Sequence, residues 1–362
     1  MASRKTPSIV SMETIVHPSE PDLLHVLLRD DAGGVGLGET HGQRSAVAAL
    51  LADLGPTLAG VAASPAAVAD VASRGPYGAH RAGGGVSVES RAASALDIAI
   101  WDLCARREGV SLADAVGGLR RSAVPTYVTC TASDQATFAD DPAALAREVF
   151  ADGFALVKVW PFAAGRDLDA DVDWVRRLVD EGIGVAVDLV GAVGLGNPMT
   201  ICRLLDPLGL AWIEDPLPDT ALAEIPGLAR SLATPICTGE RLAGSDAFAR
   251  LIDGGGVGYC HIDVAWCGGV STVIEVAALT HARATRLALH DFSGPVALAA
   301  SLHLGQHVAG DVVVESSRQS ARYDAITSGL PPITAGTSAV GPGHGAKLTD
   351  AYLAGAVRRA TM

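Results

Sequence analysis

No block of lysine and arginine occurs anywhere in the 362 residues, and 27 basic residues face 40 acidic ones for a net charge of -13. Phosphate backbones are gripped by clustered cations, so a nucleic-acid partner is excluded. Long apolar runs are missing too. The amino terminus, MASRKTPSIV, lacks the apolar core of a signal peptide, and later apolar stretches are broken by Asp, Glu, Arg or His before they could span a bilayer. No membrane partner is expected, and the chain reads as soluble and cytoplasmic. The cysteines, Cys104, Cys130, Cys202, Cys237, Cys260 and Cys267, form no CxxC pair and sit in apolar surroundings. That pattern fits reduced, buried thiols rather than disulfides or zinc.

What is present is an alternation. From about residue 121 short β-branched runs take turns with segments whose apolar residues recur at helical spacing. The strand candidates are TYVTC, ALVKVW, VAVDLV, AWIED, ICTGE, YCHIDV, LALHD and VVVES, separated by stretches such as DVDWVRRLVDEG and STVIEVAALTHARA. Near-continuously apolar strands between helices argue for a parallel sheet, and eight of them for a closed one. The fold class is α/β, a (β/α)7β TIM-like barrel with an N-terminal α+β capping domain; an open doubly wound sheet is the runner-up. Residues 1–120 read as the cap, with VSMETIV and LLHVLLRDD as a hairpin before GVGLGET and Ala-rich helices. Residues 121–317 read as the barrel, and the Pro- and Gly-rich tail 318–362 as returning to the cap.

Barrels of this kind gather functional groups where strands end. Asp188, Glu214 and Glu240 close three successive strands, one βα unit apart. Unpaired carboxylates brought together repel, so a hard cation with oxygen ligands, Mg²⁺, is the natural occupant; helix capping is the competing role for each acid taken alone. Asp263 and His290 end the next two strands. A carboxylate on one imidazole nitrogen fixes the tautomer and makes the other a competent proton carrier. The remaining histidines lack that combination and read as structural.

With these residues on the page, the chain resembles the enolase superfamily, mandelate racemase subgroup. The resemblance rests on GLGET, SALDIAIWDL, the Asp188, Glu214 and Glu240 series, Asp263 followed by Gly268 and Gly269, the dyad with His290, Glu315 in VVVES, and PGHG in the tail. It implies Mg²⁺-dependent removal of the proton α to a carboxylate. Lys158 matches the inner lysine of the subgroup's Lys-x-Lys strand, which helps hold the substrate carboxylate, whereas Trp160 replaces the outer lysine, a base. Val190 follows Asp188 where some relatives carry His or Asn. A single acid/base residue favours β-elimination of water over racemisation, since one histidine can take the α-proton and then protonate the departing hydroxyl. The resemblance thus implies an acid-sugar dehydratase with His290, Asp263 and Lys158 as catalytic residues, a small-molecule carboxylate as partner and a homo-oligomeric state. Trp160, Glu315, His41 and Arg44 are expected at the substrate, with Tyr77, His80 and Arg81 as further contacts, and the cap loop HPSEPD is short. Two alternatives stay open: an epimerase or cycloisomerase using Lys158 as second base, and a barrel that binds a carboxylate or metal without turnover.

Overall fold

The computed structural model describes residues 6–73, 84–162, 167–192 and 196–362. The chain opens with antiparallel strands β1 (Ile9–His17), β2 (Glu20–Asp30) and β3 (Val35–His41), then helices α1 (Arg44–Leu58), α2 (Pro65–Ala72) and α3 (Val88–Glu108). Ser87 and Ser90 cap the start of α3 reciprocally, and Gly109, at φ 68°, ends it in the left-handed region. Both devices satisfy backbone groups that a helix end leaves orphaned. Most residues of α3 from Ala92 to Ala105 are buried, as expected of a helix with neighbours on more than one side. Strand β3 approaches it closely: a Cβ on Gly36 would lie 2.0 Å from the Ala99 carbonyl oxygen, and one on Gly38 1.9 Å from that of Ala95. The glycines of GVGLGET are therefore a packing requirement.

The barrel strands are β4 (Val124–Thr129), β5 (Leu156–Val159), β6 (Gly184–Asp188), β7 (Trp212–Glu214), β8 (Ile236–Thr238), β9 (Val257–Asp263), β10 (Arg286–His290) and β11 (Val312–Ser317). Each pairs in parallel with the next, and β11 closes on β4 with Val314 opposite Thr126 and Ser317 opposite Thr129. Closure rules out the open doubly wound sheet. Helices such as Leu168–Val179, Ser245–Gly254 and Pro295–His307 connect the strands. All six cysteines are free and all but Cys104 are buried.

Strand period places chemistry above a floor. Tyr127, Ala186, Trp212, Cys237 and Ala288 pack together inside the barrel, with Leu156, Tyr259 and Val313 against them. Two residues further along the same strands, hence on the same face, come Thr129, Asp188, Glu214, His290, Lys158, His261 and Glu315. An apolar layer is thus overlaid by a polar one that opens toward the strand ends.

Beyond the barrel, β12 (Thr327–Ser328) pairs with β14 (Lys347–Leu348), β13 (Gly336–Thr337) with β4, and β15 (Val357–Ala360) with β1, which extends the cap sheet to β15-β1-β2-β3. Buried acids pin the layers together. Asp102 on α3 accepts from the N–H groups of Leu37 and His344, both at 2.9 Å, and from Arg106 Nε at 2.7 Å. Glu39, from GLGET, accepts from Ala297 N–H at 2.9 Å and Val296 N–H at 3.3 Å, in the first turn of the helix after His290. The cap therefore grips the element that follows strand β10. Among the described residues no helix is long and apolar enough to cross a membrane.

Replacing Gly38 with Ala forces β3 away from α3. We expect a loss of unfolding free energy of about 1–3 kcal/mol, read from urea denaturation, whereas a wild-type midpoint would show that this contact is not tight.

Candidate active site at the strand ends

Asp263 and His290 face each other in the β9–β10 register. Asp263 Oδ2 lies 2.7 Å from His290 Nδ1, and Oδ1 accepts the Ala265 N–H, also at 2.7 Å. Asp263 is fully buried and held from both oxygens, so the imidazole it orients directs Nε2 away from it. That nitrogen is 3.2 Å from Glu240 Oε2. Burial by itself would lower the pKa of His290; the charges of Glu240, Glu315 and Asp263 reverse this and push it up to about 10.

Lys158 is buried, its Nζ 2.5 Å from Glu214 Oε1 and 2.9 Å from Glu315 Oε1. Desolvation disfavours the ammonium, but Glu214 and Glu315, with Asp188 and Glu240 behind them, raise its pKa well above the ordinary lysine value. It stands as an ammonium paired with two carboxylates. Glu315 also accepts from the Tyr127 hydroxyl at 3.0 Å and from the Thr129 hydroxyl, so it holds Lys158 in place from within the barrel. Trp160 donates its indole N–H to the Cys130 carbonyl at 2.9 Å, which ties it across the end of β4.

Asp188 and Glu214 are register partners, and Glu240 follows β8. Their oxygens are turned onto protein partners: Asp188 Oδ1 accepts the Val190 N–H at 2.7 Å, Glu214 Oε2 the Trp212 indole N–H at 2.9 Å, and Glu240 Oε1 lies 3.2 Å from Arg241 Nη2. Acid is nevertheless in surplus. Burial and the neighbouring Glu214 push Asp188 up to about 8; burial raises Glu214 despite Lys158; and buried Asp215, beside Glu240 and Asp188, is raised well above the carboxylate range. An all-oxygen set with unneutralised charge suits a hard divalent cation. A second grouping, Glu214, Cys237 and His261, brings one atom of each within 4.8 Å of the others. It is the poorer fit, since burial and Glu214 push the Cys237 thiol well up and Glu214 Oε1 already engages Lys158.

The other expected contacts divide. His41 presents its ring edge-on to Phe292 with centroids 5.6 Å apart, and Phe292 stacks beside His290 at 6.4 Å, so His41 belongs to the mouth. Arg44 Nη1 donates to the carbonyls of His17 and Glu20 at 3.2 and 3.1 Å, closing the β1–β2 turn. Tyr77, His80 and Arg81 lie outside the described residues. Sequence reasoning left His261 among the structural histidines, yet it lies within the polar layer. It is fully buried, its ring nitrogens have no hydrogen-bond partner among the described residues, and it stands edge-on to His290 at 4.9 Å. Its Nε2 is 3.5 Å from Glu315 and its Nδ1 3.6 Å from Glu214. The available signal was its place two residues before Asp263 on one strand face.

A capped parallel barrel with an acid-lined rim and one histidine–aspartate pair defines a class, and the comparisons agree with it. Residues 141–352 match the enolase C-terminal domain-like family and residues 2–117 the mandelate racemase / muconate lactonizing enzyme N-terminal domain. The chain belongs to the mandelate racemase subgroup of the enolase superfamily. It is 27% identical over 321 residues to the D-galactonate dehydratase of Xanthomonas euvesicatoria pv. vesicatoria (strain 85-10), covering 84% of this chain and 80% of that protein. The crystal structure of an enolase protein from the environmental genome shotgun sequencing of the Sargasso Sea matches with a TM-score of 0.85 at 33% identity, over 98% of both chains. L-talarate dehydratase from Polaromonas sp. JS666, complexed with Mg and L-glucarate, matches with a TM-score of 0.82 over 98% of this chain and 100% of that one; at 22% identity that likeness concerns the fold alone.

A divalent cation on the rim carboxylates would neutralise Glu240 and withdraw the field that keeps His290 protonated. Added Mg²⁺ is therefore expected to lower the His290 pKa from about 10, followed by NMR of the imidazole across a pH series. A titration unmoved by Mg²⁺ would remove the cation from this rim.

Proposed function

We propose that the protein is a Mg²⁺-dependent hydro-lyase that removes the proton α to the carboxylate of a polyhydroxy acid and expels the β-hydroxyl, giving a 2-keto-3-deoxy acid. The observation that carries the reading is the contrast between its two nitrogen bases: His290 is aligned by Asp263 at 2.7 Å, while Lys158 is clamped between two carboxylates as an ammonium. The family match and the dehydratases among the relatives support it.

His290 Nε2 takes the α-proton, and the electron pair of that C–H bond passes into the substrate carboxylate to form an enediolate. Asp263 stabilises the imidazolium that results. Lys158, beside the substrate carboxylate, offsets the developing negative charge. Asp188, Glu214 and Glu240 would hold Mg²⁺, which supplies further positive charge against the same oxygens when bound. The imidazolium then protonates the β-hydroxyl as its C–O bond breaks, water departs, and the enol left behind tautomerises to the 2-keto acid. His290 ends neutral. Racemisation would need a second proton carrier on the opposite face, and Trp160, tied to Cys130, cannot be one.

A panel of acid sugars assayed for 2-keto acid with and without Mg²⁺ tests the reaction, and product that forms only with Mg²⁺ is expected. In D₂O, His290→Asn should lose dehydration and α-hydrogen exchange together, by at least roughly 10²-fold. Deuterium entering recovered substrate without product would give Lys158 the role of base and replace this reading with an epimerase.

A further inference from the structure

The mouth above His290 is ringed by a closed collar of contacts. Trp266 lies 5.2 Å from the His290 ring, Arg91 places its guanidinium 4.7 Å from the Trp266 centroid, and Arg91 Nη1 donates to the His41 carbonyl. The His41 ring meets Phe292, and Phe292 returns to His290. Phe292 is 59% exposed and offers a carbon face, whereas Trp266, packed against both His290 and Arg91, is only 9% exposed. Burial lowers the His41 pKa, which leaves Arg91 as the fixed positive charge of the collar.

That charge has no carboxylate partner among the described residues. Arg106, Arg107, Arg318 and Arg322 each lie within 3.2 Å of an Asp or Glu oxygen, and Lys158 has two such partners. Arg91 is instead half-buried against an indole and a neutral carbonyl; its Nε and the Trp266 Nε1 are both buried donors without acceptors. The nearest acid to influence it electrostatically, Asp263, already serves His290 and the Ala265 N–H. A partly desolvated guanidinium is costly unless an anion joins it, and its planar fork matches a carboxylate through two parallel hydrogen bonds.

We infer that Arg91 recognises a second carboxylate at the end of the substrate remote from the reacting carbon, so that the substrate is a dicarboxylic rather than a monocarboxylic polyhydroxy acid. This rests on the proposed function. One indole ring separates His290 from Arg91, which sets the two ends of the substrate a few carbon atoms apart. The exposed carbon face of Phe292 covers the chain between them, and Arg91 acts on specificity without touching the reacting atoms.

The test uses binding rather than turnover, in the full chain carrying His290→Asn with Mg²⁺ present. Calorimetry compares matched six-carbon pairs, galactarate with galactonate and glucarate with gluconate, together with 6-phosphogluconate. The dicarboxylic member of at least one pair is expected to bind roughly ten-fold tighter or more, the gain of one charge-assisted pair. Adding Arg91→Gln should erase that preference while monocarboxylate affinity stays within about two-fold, and Arg91→Lys should recover part of it. Equal affinity within both pairs, equal weakening of both members by Arg91→Gln, or tightest binding of the phosphate ester would each overturn the inference; absence of binding by the whole panel would overturn it together with the proposed function. An Arg91-dependent preference for the dicarboxylate in a protein whose wild type forms no 2-keto acid would sink the dehydratase reading and leave this one standing.

Discussion

The ammonium of Lys158, held between Glu214 and Glu315 inside a closed barrel, is the interaction on which the rest of the site depends. Removing an ion from water costs several kcal/mol even after relaxation, and only opposed charges at hydrogen-bonding distance offset this. Each partner is in turn held elsewhere: Glu214 by the Trp212 indole, Glu315 by the Tyr127 and Thr129 hydroxyls. Tyr127 and Trp212 belong to the apolar floor, so the polar layer is fastened to it by named hydrogen bonds. Glu214 and Glu315 are oriented by donors of the barrel interior, whereas Asp188 and Glu240 are held at the rim itself, by the Val190 N–H and by Arg241.

The same network separates the two bases that the family chemistry could use. Both sit among carboxylates, but they meet them differently. Lys158 is in direct contact with two and stays charged. His290 has Asp263 on one nitrogen and its other nitrogen directed toward Glu240, a group that a bound cation would compete for. In the proposed reaction, proton transfer therefore falls to one face of the site because of how the barrel packs the two residues rather than because of their intrinsic basicity.

Much of this was legible in the sequence because it follows from strand period and strand order. Eight apolar runs between helices give the barrel, and the acids at their ends give the rim; Asp263 and His290 end neighbouring strands and meet in register. His261 obeys the same period and was passed over because a strand-interior histidine looks like core; its surroundings are set by Glu214 and Glu315, which come from other strands. Arg44 shows a second role that the sequence did not reveal. Its position just after GLGET puts it near the mouth in sequence, but as the first residue of α1 it reaches backbone carbonyls of the β1–β2 turn. Glu315, expected at the substrate, is held by Lys158 and by the Tyr127 and Thr129 hydroxyls, and lies 4.0 Å from His290 Nε2. Arg91 gave no signal, since nothing local distinguishes a helix arginine that lies on a tryptophan from one that lies in water.

The cap sheet is completed by β15, whose Arg358 pairs with Glu13, 345 positions away in the chain. The barrel is, topologically, a loop inserted into the cap. Loop closure over that length is entropically unfavourable until the intervening chain is compact, so the barrel, built from successive near-neighbour βα units, can form first and the cap sheet is finished after it. On that order of assembly, the Asp263–His290 pair comes together before the fourth strand of the cap sheet is in place. The order of chain emergence then delays completion of the cap sheet, whose last strand follows every barrel strand in sequence, until the polar layer beneath it has been made.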